Sequence, residues 1–372
     1  MSSHAITTLD ALKEFLYKAM QLEHATIPPY LTALYSIKPG FNQAATQVLR
    51  VIAVEEMLHL TLAANLLNAI GGTPDLTRAD FVPDYPAYLP DGEEDFQVGI
   101  GAFSRETLET FLKIERPAIR SENAKMKDGL ILRNYAADQT VLASHPTHPD
   151  LHYYSIGEFY EAIAQGIRDL EEEARKNGGT IFVGDPARQI TSEYYYSGGG
   201  ELHAVHDLDS AIDAINLVIE QGEGEGGGIY DGGSDELAHY YRFEELAKGR
   251  YYQRGDEPGK PTGPQLTVEW DAAYPIKPDV KLADIPEHSE LHAAAAAFNT
   301  RYGEFLALLT QAYNGKPELL LKAVPIMFEF RNLMFDLIRN PLPGHPGLHG
   351  GPTFEVATSD HETARQVAEV VA

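Results

Sequence analysis

Cysteine is absent from the 372-residue chain, which excludes disulfides, thiolate metal sites, thiolate-ligated haem and cysteine nucleophiles. Basic residues are scarce: 29 Lys and Arg stand against 55 Asp and Glu, giving a net charge of −26. A surface of that sign repels nucleic acid and anionic lipid. No apolar run approaches the length of about 18 residues that a transmembrane helix needs, and the N-terminus lacks the basic and apolar regions of a secretory signal. We therefore expect a cytoplasmic protein that binds neither nucleic acid nor a membrane.

The N-terminal part of the chain predicts a helical hairpin. Apolar residues recur every three or four positions, which predicts one helix from Thr8 to about Ile37. Pro28-Pro29 should kink or distort this helix, because each ring removes a backbone donor. Pro39-Gly40 then breaks the pattern, and a second helix is expected from about Asn42 to Ile70. Two long helices joined by a short connection pack antiparallel.

Six further helices are expected along the rest of the chain. Their predicted positions are around Glu106–Glu115, Ile156 to about Lys176, Asp207 or Asp209 to about Glu223, Glu236 to about Lys248, His288–Tyr313 and Glu318–Arg339. The fold class is therefore mainly α, a four-helix bundle with long irregular insertions and extra C-terminal helices. We expect the bundle over residues 1–250, with a loop insertion at about 73–155. Residues 251–372 should form an irregular segment, a helix pair and a wrapping tail on the same domain.

Polar side chains interrupt the apolar stripe of the second helix. Glu56 and His59 share that helix face, and burying a carboxylate and an imidazole is unfavourable unless something compensates them. The same Glu-x-x-His spacing recurs at Glu236 and His239, and Glu23 lies within the stripe of the first helix. Such pairs on facing helices, with further carboxylates, build di-metal sites in helical bundles. We therefore predict that these five residues bind metal.

A further carboxylate is expected from the third helix of such a bundle. Glu223 ends the helix before Glu236 and would lie near it if the two helices pack antiparallel. Glu158 is the alternative, although it points away from the apolar stripe of its own helix.

Three neighbouring side chains have two interpretations each. Glu55 is either a surface residue or a group that supports a ligand, and His24 either orients a ligand or packs in the core. Tyr240 could relay electrons or protons as a catalytic residue, although an aromatic residue at helical spacing is more often part of a core.

The predicted ligands favour two divalent ions. Four carboxylates and two neutral imidazoles would balance the charge of such a pair, and without metal the clustered carboxylates would repel one another. Oxygen and imidazole ligands without thiolate suit iron, which we expect, or manganese.

The same residues resemble a known family, the ferritin-like domain found in iminophenyl-pyruvate dimer synthases of the violacein and rebeccamycin pathways. The resemblance spans about Leu12 to Arg250 and is carried by Leu22-Glu-His-Ala-Thr-Ile-Pro-Pro-Tyr-Leu31, Glu55-Glu-Met-Leu-His59, Ile156-Gly-Glu-Phe-Tyr160, Gln221-Gly-Glu-Gly224, Glu236-Leu-Ala-His-Tyr-Tyr-Arg-Phe-Glu-Glu245 and the late motif Gly351-Pro-Thr-Phe-Glu355. It implies a ferritin-like bundle in secondary metabolism with a di-metal centre at Glu23, Glu56, His59, Glu236 and His239. The synthases are much longer chains associated with haem, so the resemblance does not carry over their reaction.

Two functions are compatible with this pattern. The first is an oxidase or oxygenase that uses dioxygen or peroxide on a small, amino-acid-derived molecule, because the long irregular segments could form a substrate pocket. The second is a ferroxidase or iron-binding protein without an organic substrate; iron storage would require a homo-oligomeric cage. A domain with a vestigial site, which binds no metal, is a third reading.

Overall fold

The structure is a computed structural model that describes residues 6–92, 94–118, 153–195, 199–233 and 235–356. These residues form eight α-helices. Their bounds are α1 Leu9–Ser36, α2 Gln43–Ala69, α3 Arg105–Ile114, α4 Ile156–Lys176, α5 Leu208–Glu223, α6 His239–Lys248, α7 Glu290–Tyr313 and α8 Leu320–Ile338. The mainly α fold predicted from the sequence is confirmed.

α1 and α2 form a hairpin, and the contact between them is the most extensive helix–helix contact of the fold. The Thr8 hydroxyl caps α1 by accepting a hydrogen bond from the Ala11 N–H at 3.1 Å, which satisfies one of the free donors of the first turn. Both helices end within one residue of the predicted positions. Every residue of α1 from Leu22 to Tyr30 is buried, because other helices and loops cover the side of α1 that faces away from α2.

The two prolines inside α1 are accommodated without ending the helix. Pro29 has no N–H, so the Ala25 carbonyl one turn earlier loses its helical donor. The Tyr85 hydroxyl donates to that carbonyl instead, at 2.8 Å. The loop after α2 thus satisfies a backbone group that the α1 sequence leaves free, and α1 continues past Glu23 as one element.

The second helix pair completes a four-helix bundle. α4 packs against α5, while α1 contacts α4 and α2 contacts α5. Ser155 caps α4 by accepting from the Glu158 N–H at 3.1 Å. Asp207 caps α5, where its carboxylate and the Ser210 side chain bond each other's backbone N–H groups. Of the two predicted starts of this helix, Asp207 and Asp209, Asp207 is the N-cap.

Two short helices pack together at one end of this bundle. α3 lies within the predicted insertion, and α6 contacts α3, α5 and α2. The predicted start of α6 at Glu236 is wrong, because α6 begins at His239 and its N-cap is Ala238. Backbone hydrogen bonds from Asp231 N–H to Glu236 O and from Ala238 N–H to Ile229 O keep the preceding residues in an extended pairing. Because Glu236 and Ala238 form these backbone hydrogen bonds, the helix begins only at His239.

The C-terminal helices pair with each other and cover the hairpin. α7 contacts α2 and α8 contacts α1, and Phe298 and Leu337 belong to the same buried core as Leu16 and Leu62. Within the tail, Phe354 packs edge-on against Phe298 at 5.0 Å between ring centres. The division of the chain near residue 250 stays a prediction.

Within the described ranges, no helix is long and apolar enough to cross a membrane. The parts of the predicted insertion at 119–152 and of the predicted tail at 357–372 lie outside the described residues.

Candidate metal centre

Five buried side chains converge between the helices. They are Glu23 on α1, Glu56 and His59 on α2, Glu115 directly after α3, and His239 at the start of α6. Each is at most 3% exposed. Their possible ligand atoms form two groups, in each of which all atoms lie within 4.8 Å of one another. The first group is Glu23, Glu56 and His59, the second is Glu56, Glu115 and His239, and Glu56 belongs to both.

The hydrogen bonds of His239 leave one of its nitrogens without a partner. Its Nε2 lies 2.9 Å from Glu55 Oε2, and since an ionised carboxylate only accepts, Nε2 carries the proton. In the neutral ring, Nδ1 is then a bare lone pair. It lies 3.0 Å from Glu56 Oε1 and 3.4 Å from Glu115 Oε2, yet it has no partner of hydrogen-bonding geometry among the described residues.

His59 is arranged in the same way. Its Nε2 lies 2.8 Å from Gln221 Oε1. The Gln221 amide donates through Nε2 to the Gly199 carbonyl at 2.5 Å, so its oxygen faces His59 as an acceptor. The His59 Nδ1 atom lies 3.5 Å from Glu23 Oε2 and 3.6 Å from Glu56 Oε1.

Both imidazoles therefore direct a nitrogen lone pair toward carboxylate oxygens in a buried space. A lone pair facing an anion is unfavourable unless a cation lies between them, either a proton on the ring or a metal ion. Imidazole nitrogen and carboxylate oxygen are ligands of iron, manganese and zinc. The donor set and its unpartnered nitrogen fit a metal pair that shares Glu56.

Without metal, the cluster holds protons more tightly than these groups ordinarily do. Burial raises the pKa of Glu56 to about 7, and the charge of Glu115 adds to the effect. Burial alone would lower the pKa of His239, but the neighbouring carboxylates of Glu115, Glu55 and Glu56 raise it well above its ordinary value. Metal ions would therefore displace protons from the cluster.

Hydroxyl groups hold all three carboxylates in place. The Tyr160 hydroxyl donates to Glu23 Oε1 at 2.5 Å, and the Tyr30 hydroxyl donates to Glu115 Oε1 at 2.5 Å. Thr26 Oγ1 donates to Glu56 Oε2 at 2.8 Å. Burial raises the pKa of both tyrosines well above 10.0, so both remain donors at neutral pH.

Glu223, the carboxylate predicted from the third helix, lies beside the cluster and not within either group. Its two oxygens accept from the backbone N–H of Gly157 at 2.7 Å and of Ala118 at 2.8 Å. It is 6% exposed, and burial raises its pKa to about 7 although the backbone donors act in the opposite direction. Glu223 thus connects α5 to the start of α4 and to the chain after Glu115.

Glu236 is not brought together with His239, which corrects the predicted ligand pair. Because Glu236 precedes α6, the spacing of three residues does not place it on the helix face of His239. Its side chain is 58% exposed and pairs with Arg242 Nη2 at 3.0 Å. The second group takes Glu115 from α3 in its place.

The other candidates lie outside both groups. Glu158 Oε2 accepts from the Tyr154 N–H at 3.1 Å. Tyr240 packs edge-on against Tyr241, with 5.1 Å between ring centres, in a small cluster apart from the main core. His24 is buried against Tyr302, to which its Nε2 is hydrogen bonded, and burial lowers its pKa to about 3. His24 is therefore a neutral core histidine.

Glu115 and Glu55 belong to the site although neither was predicted from the sequence as a ligand. Glu115 was expected only as the end of a short helix, yet it follows the buried residues Leu108 and Phe111 at helical spacing. This helical spacing was the feature of the sequence that indicates a buried position for Glu115. Glu55, for which two interpretations were open, is 3% exposed and supports His239.

A small void of about 10 Å³ lies beside the ligands. It is lined by Glu23, Glu56, His59, Glu115, Ile156, Gly157, Val218, Ile219, Gly222 and Glu223. A space of that volume holds about one water molecule. The void next to the cluster is therefore of the size of a single water molecule.

A much larger cleft, of about 650 Å³, is lined by Lys13, Tyr17, Lys18, Gln21 and part of the loop after α2. Gln21 and Glu23 are two residues apart, which corresponds to about 200° around a helix. The cleft therefore lies on the side of α1 that faces away from the metal ligands.

Comparison with known proteins agrees with this architecture. A family model described as ferritin-like matches residues 16–248. The chain is 25% identical to dichlorochromopyrrolate synthase of Lentzea aerocolonigenes over 82% of its own length and 29% of the synthase. It is also 25% identical to 2-imino-3-(indol-3-yl)propanoate dimerase of Chromobacterium violaceum, over 87% of its own length and 31% of the dimerase. The chain thus spans less than a third of either curated relative.

A crystal structure of a ferritin-like protein from Caulobacter vibrioides has the same fold. The TM-score is 0.61 with 20% sequence identity, and the match covers 95% of this chain and 100% of that one. The family match, the bundle and the buried carboxylate–histidine cluster agree, and this chain belongs to the ferritin-like family.

Proposed function

We propose that this protein is a non-haem di-metal oxidase or oxygenase, with iron as the expected metal and manganese as the alternative, acting on a small amino-acid-derived metabolite. The observation that carries the proposal is the position of Glu56, which is shared by two groups of three buried ligands. A carboxylate shared in this way is the usual bridge of a metal pair in helical bundles. Glu23 and His59 would complete one position, and Glu115 and His239 the other.

The charge of the ligand set favours an additional anion. Three carboxylates and two neutral imidazoles leave two divalent ions with a net charge of about +1. An anionic ligand, such as hydroxide or the carboxylate of a substrate, would balance that charge. Three protein ligands at each position also leave coordination sites free, which a catalytic metal centre needs.

The protein's own residues prepare this site. A bound iron pair would supply the electrons that reduce dioxygen, with the substrate as the final electron source. Tyr160 and Tyr30 fix the two terminal carboxylates by hydrogen bonds, and the void beside them has room for about one small molecule. The buried surroundings exclude bulk water, which protects a reactive site from side reactions.

The substrate class is proposed from the relatives. The name of one describes a dimerase of an indole-bearing imino acid, and that of the other a synthase of a dichlorinated chromopyrrolate. Both names favour a small metabolite with an aromatic ring and a carboxylate. Such a carboxylate would suit the net positive charge of the loaded centre.

Oxygen consumption tests the proposal. Full-length protein is loaded anaerobically with Fe(II) and exposed to air with and without aromatic amino and imino acids. We expect rapid oxygen uptake, which a substrate prolongs beyond the amount of oxygen that the bound iron alone consumes. This uptake should be lost in Glu56→Gln and Glu115→Gln and retained in the matched control Glu236→Gln. Uptake by wild-type protein no faster than by Glu56→Gln would refute the proposal.

A second candidate is iron oxidation without an organic substrate. The size of the void favours it, because about 10 Å³ beside the ligands admits water or dioxygen and not an indole. In that case oxygen uptake would stop at a fixed ratio to added Fe(II), whichever organic compound is present. Iron storage would in addition require a cage of many subunits, which size-exclusion chromatography would reveal.

A further inference from the structure

We propose that the two metal positions of this centre are inequivalent, and that Glu55, acting through His239, makes the position of Glu56, Glu115 and His239 the one that binds the first ion. This inference rests on the proposed di-metal centre and adds an order of loading to it. Glu55 is a positioning residue in this account, because it touches the ligand and not the metal.

Most of the cluster is symmetric about Glu56. Each position has one terminal carboxylate, and each of these accepts a tyrosine hydroxyl at 2.5 Å: Glu23 from Tyr160 and Glu115 from Tyr30. Each position also has one imidazole whose Nδ1 faces the cluster. These contacts give no reason for one position to bind more tightly than the other.

The groups behind the two imidazoles differ. His239 Nε2 donates to a carboxylate, Glu55, at 2.9 Å, whereas His59 Nε2 donates to the neutral amide oxygen of Gln221 at 2.8 Å. The distances are almost equal, so the chemical difference lies in the charge of the acceptor. A charged acceptor forms a hydrogen bond roughly twice as strong as a neutral one.

Glu55 is fixed in this role by its other partner. The same oxygen, Oε2, accepts from Arg242 Nη1 at 2.9 Å, and Arg242 Nη2 reaches Glu236 at 3.0 Å. Arg242 is 9% exposed and Glu55 3%. The buried guanidinium keeps the carboxylate of Glu55 charged and oriented.

A carboxylate behind a histidine makes the imidazole a better ligand. It fixes the ring orientation and the tautomer, and it raises the basicity of the other nitrogen. Loss of such a partner typically weakens metal binding by about 10–100-fold. The Gln221 amide supplies the orientation but not the charge, so His59 gains less.

Calorimetric titration of the metal-stripped full chain with Mn(II) tests the order of loading. Two separate binding steps would not be diagnostic, because two cations that share Glu56 repel each other in any case. The informative comparison is between Glu115→Gln and Glu23→Gln, which remove equivalent ligands from the two positions. We expect Glu115→Gln to weaken the first step by at least about 10-fold, and Glu23→Gln to change it by less than about twofold.

Glu55→Gln tests the cause. It should weaken the first step by about 10–100-fold, and in that background Glu115→Gln and Glu23→Gln should have equal effects. Equal effects of the two ligand variants in the wild-type background would overturn the inference, even if Glu55→Gln fails to fold. Equal weakening of both steps by Glu55→Gln would also overturn it, since that is the result of a general structural defect. Failure of wild-type protein to bind Mn(II) at all would instead refute the di-metal centre.

Discussion

The buried carboxylate of Glu223 should make the stability of the metal-free protein depend on pH. Its folded-state pKa is raised to about 7 from an ordinary value of 4.5, with burial as the largest cause. The folded state therefore holds this proton more tightly than the unfolded chain does. The stabilisation from that proton is fully present below pH 4.5 and is lost as the pH rises through 7.

The magnitude follows from this interval. At about 1.4 kcal/mol per pH unit, the interval from 4.5 to about 7 corresponds to about 3 kcal/mol in the free energy of unfolding. About 2 kcal/mol of this falls between pH 5.5 and 8.5, a range that avoids the acidic region where the protein loses its net charge. Glu223→Gln keeps the shape of the side chain and removes the titration, so it should lack this component.

Urea denaturation of wild-type protein and Glu223→Gln, with a chelator present throughout, measures the effect. The titration of every other group cancels in the difference between the two proteins, provided that it is independent of Glu223. We expect the wild type to lose about 2 kcal/mol relative to the variant between pH 5.5 and 8.5. A constant difference, or one that changes in the other direction, would refute the assignment of Glu223 as a buried group with a raised pKa.

Two other substitutions test the contacts around the centre. Tyr160→Phe keeps the ring and removes the hydroxyl that donates to Glu23, so the metal affinity measured by calorimetry should fall by about 10-fold. Tyr313→Phe is the control: the Tyr313 hydroxyl contacts Thr61, and its loss should leave the metal affinity unchanged. Gly157→Ala would place a Cβ 2.5 Å from Glu223 Oε1; the clash should cost about 1–3 kcal/mol in urea denaturation, more than the gain of at most about 1 kcal/mol in helix propensity. Gly179→Ala, where the nearest atom is 3.8 Å away, is the control, and equal losses for both glycines would contradict the close approach.

Helix periodicity was sufficient to predict the bundle. α1, α2 and α4 lie within one or two residues of their predicted bounds, because long amphipathic patterns with clear breaks leave few alternatives. Glu56 and His59 could be placed for the same reason: both lie within one uninterrupted helix, so their spacing determines a shared face.

Prediction failed where the local backbone departs from the helix. Glu236 and His239 have the same Glu-x-x-His spacing as Glu56 and His59, but they do not share a helix face. The residues up to Ala238 lie outside α6, where Glu236 and Ala238 form backbone hydrogen bonds with Asp231 and Ile229. A periodic pattern cannot reveal that pairing, which depends on contacts across a turn rich in glycine.

Glu115 was missed for a different physical reason. The predicted ligands lie on α1, α2, α5 and the segment from Glu236, with Glu158 of α4 as the alternative, whereas α3 lies within the predicted insertion and packs against α6. Only the three-dimensional path of the insertion brings the end of α3 to His239 and Glu56. Its place at the end of a buried helical stripe was visible in the sequence, but its partners were not.

Metal content tests whether a pair of ions binds around Glu56. Purified wild-type protein, Glu56→Gln and Glu236→Gln are loaded with Fe(II) anaerobically, desalted and analysed for bound metal per chain. We expect about two ions in the wild type and in Glu236→Gln, as for other carboxylate-bridged pairs, and loss of binding in Glu56→Gln. Equal metal content in Glu56→Gln and the wild type, or loss of metal in Glu236→Gln alone, would contradict a centre built around Glu56.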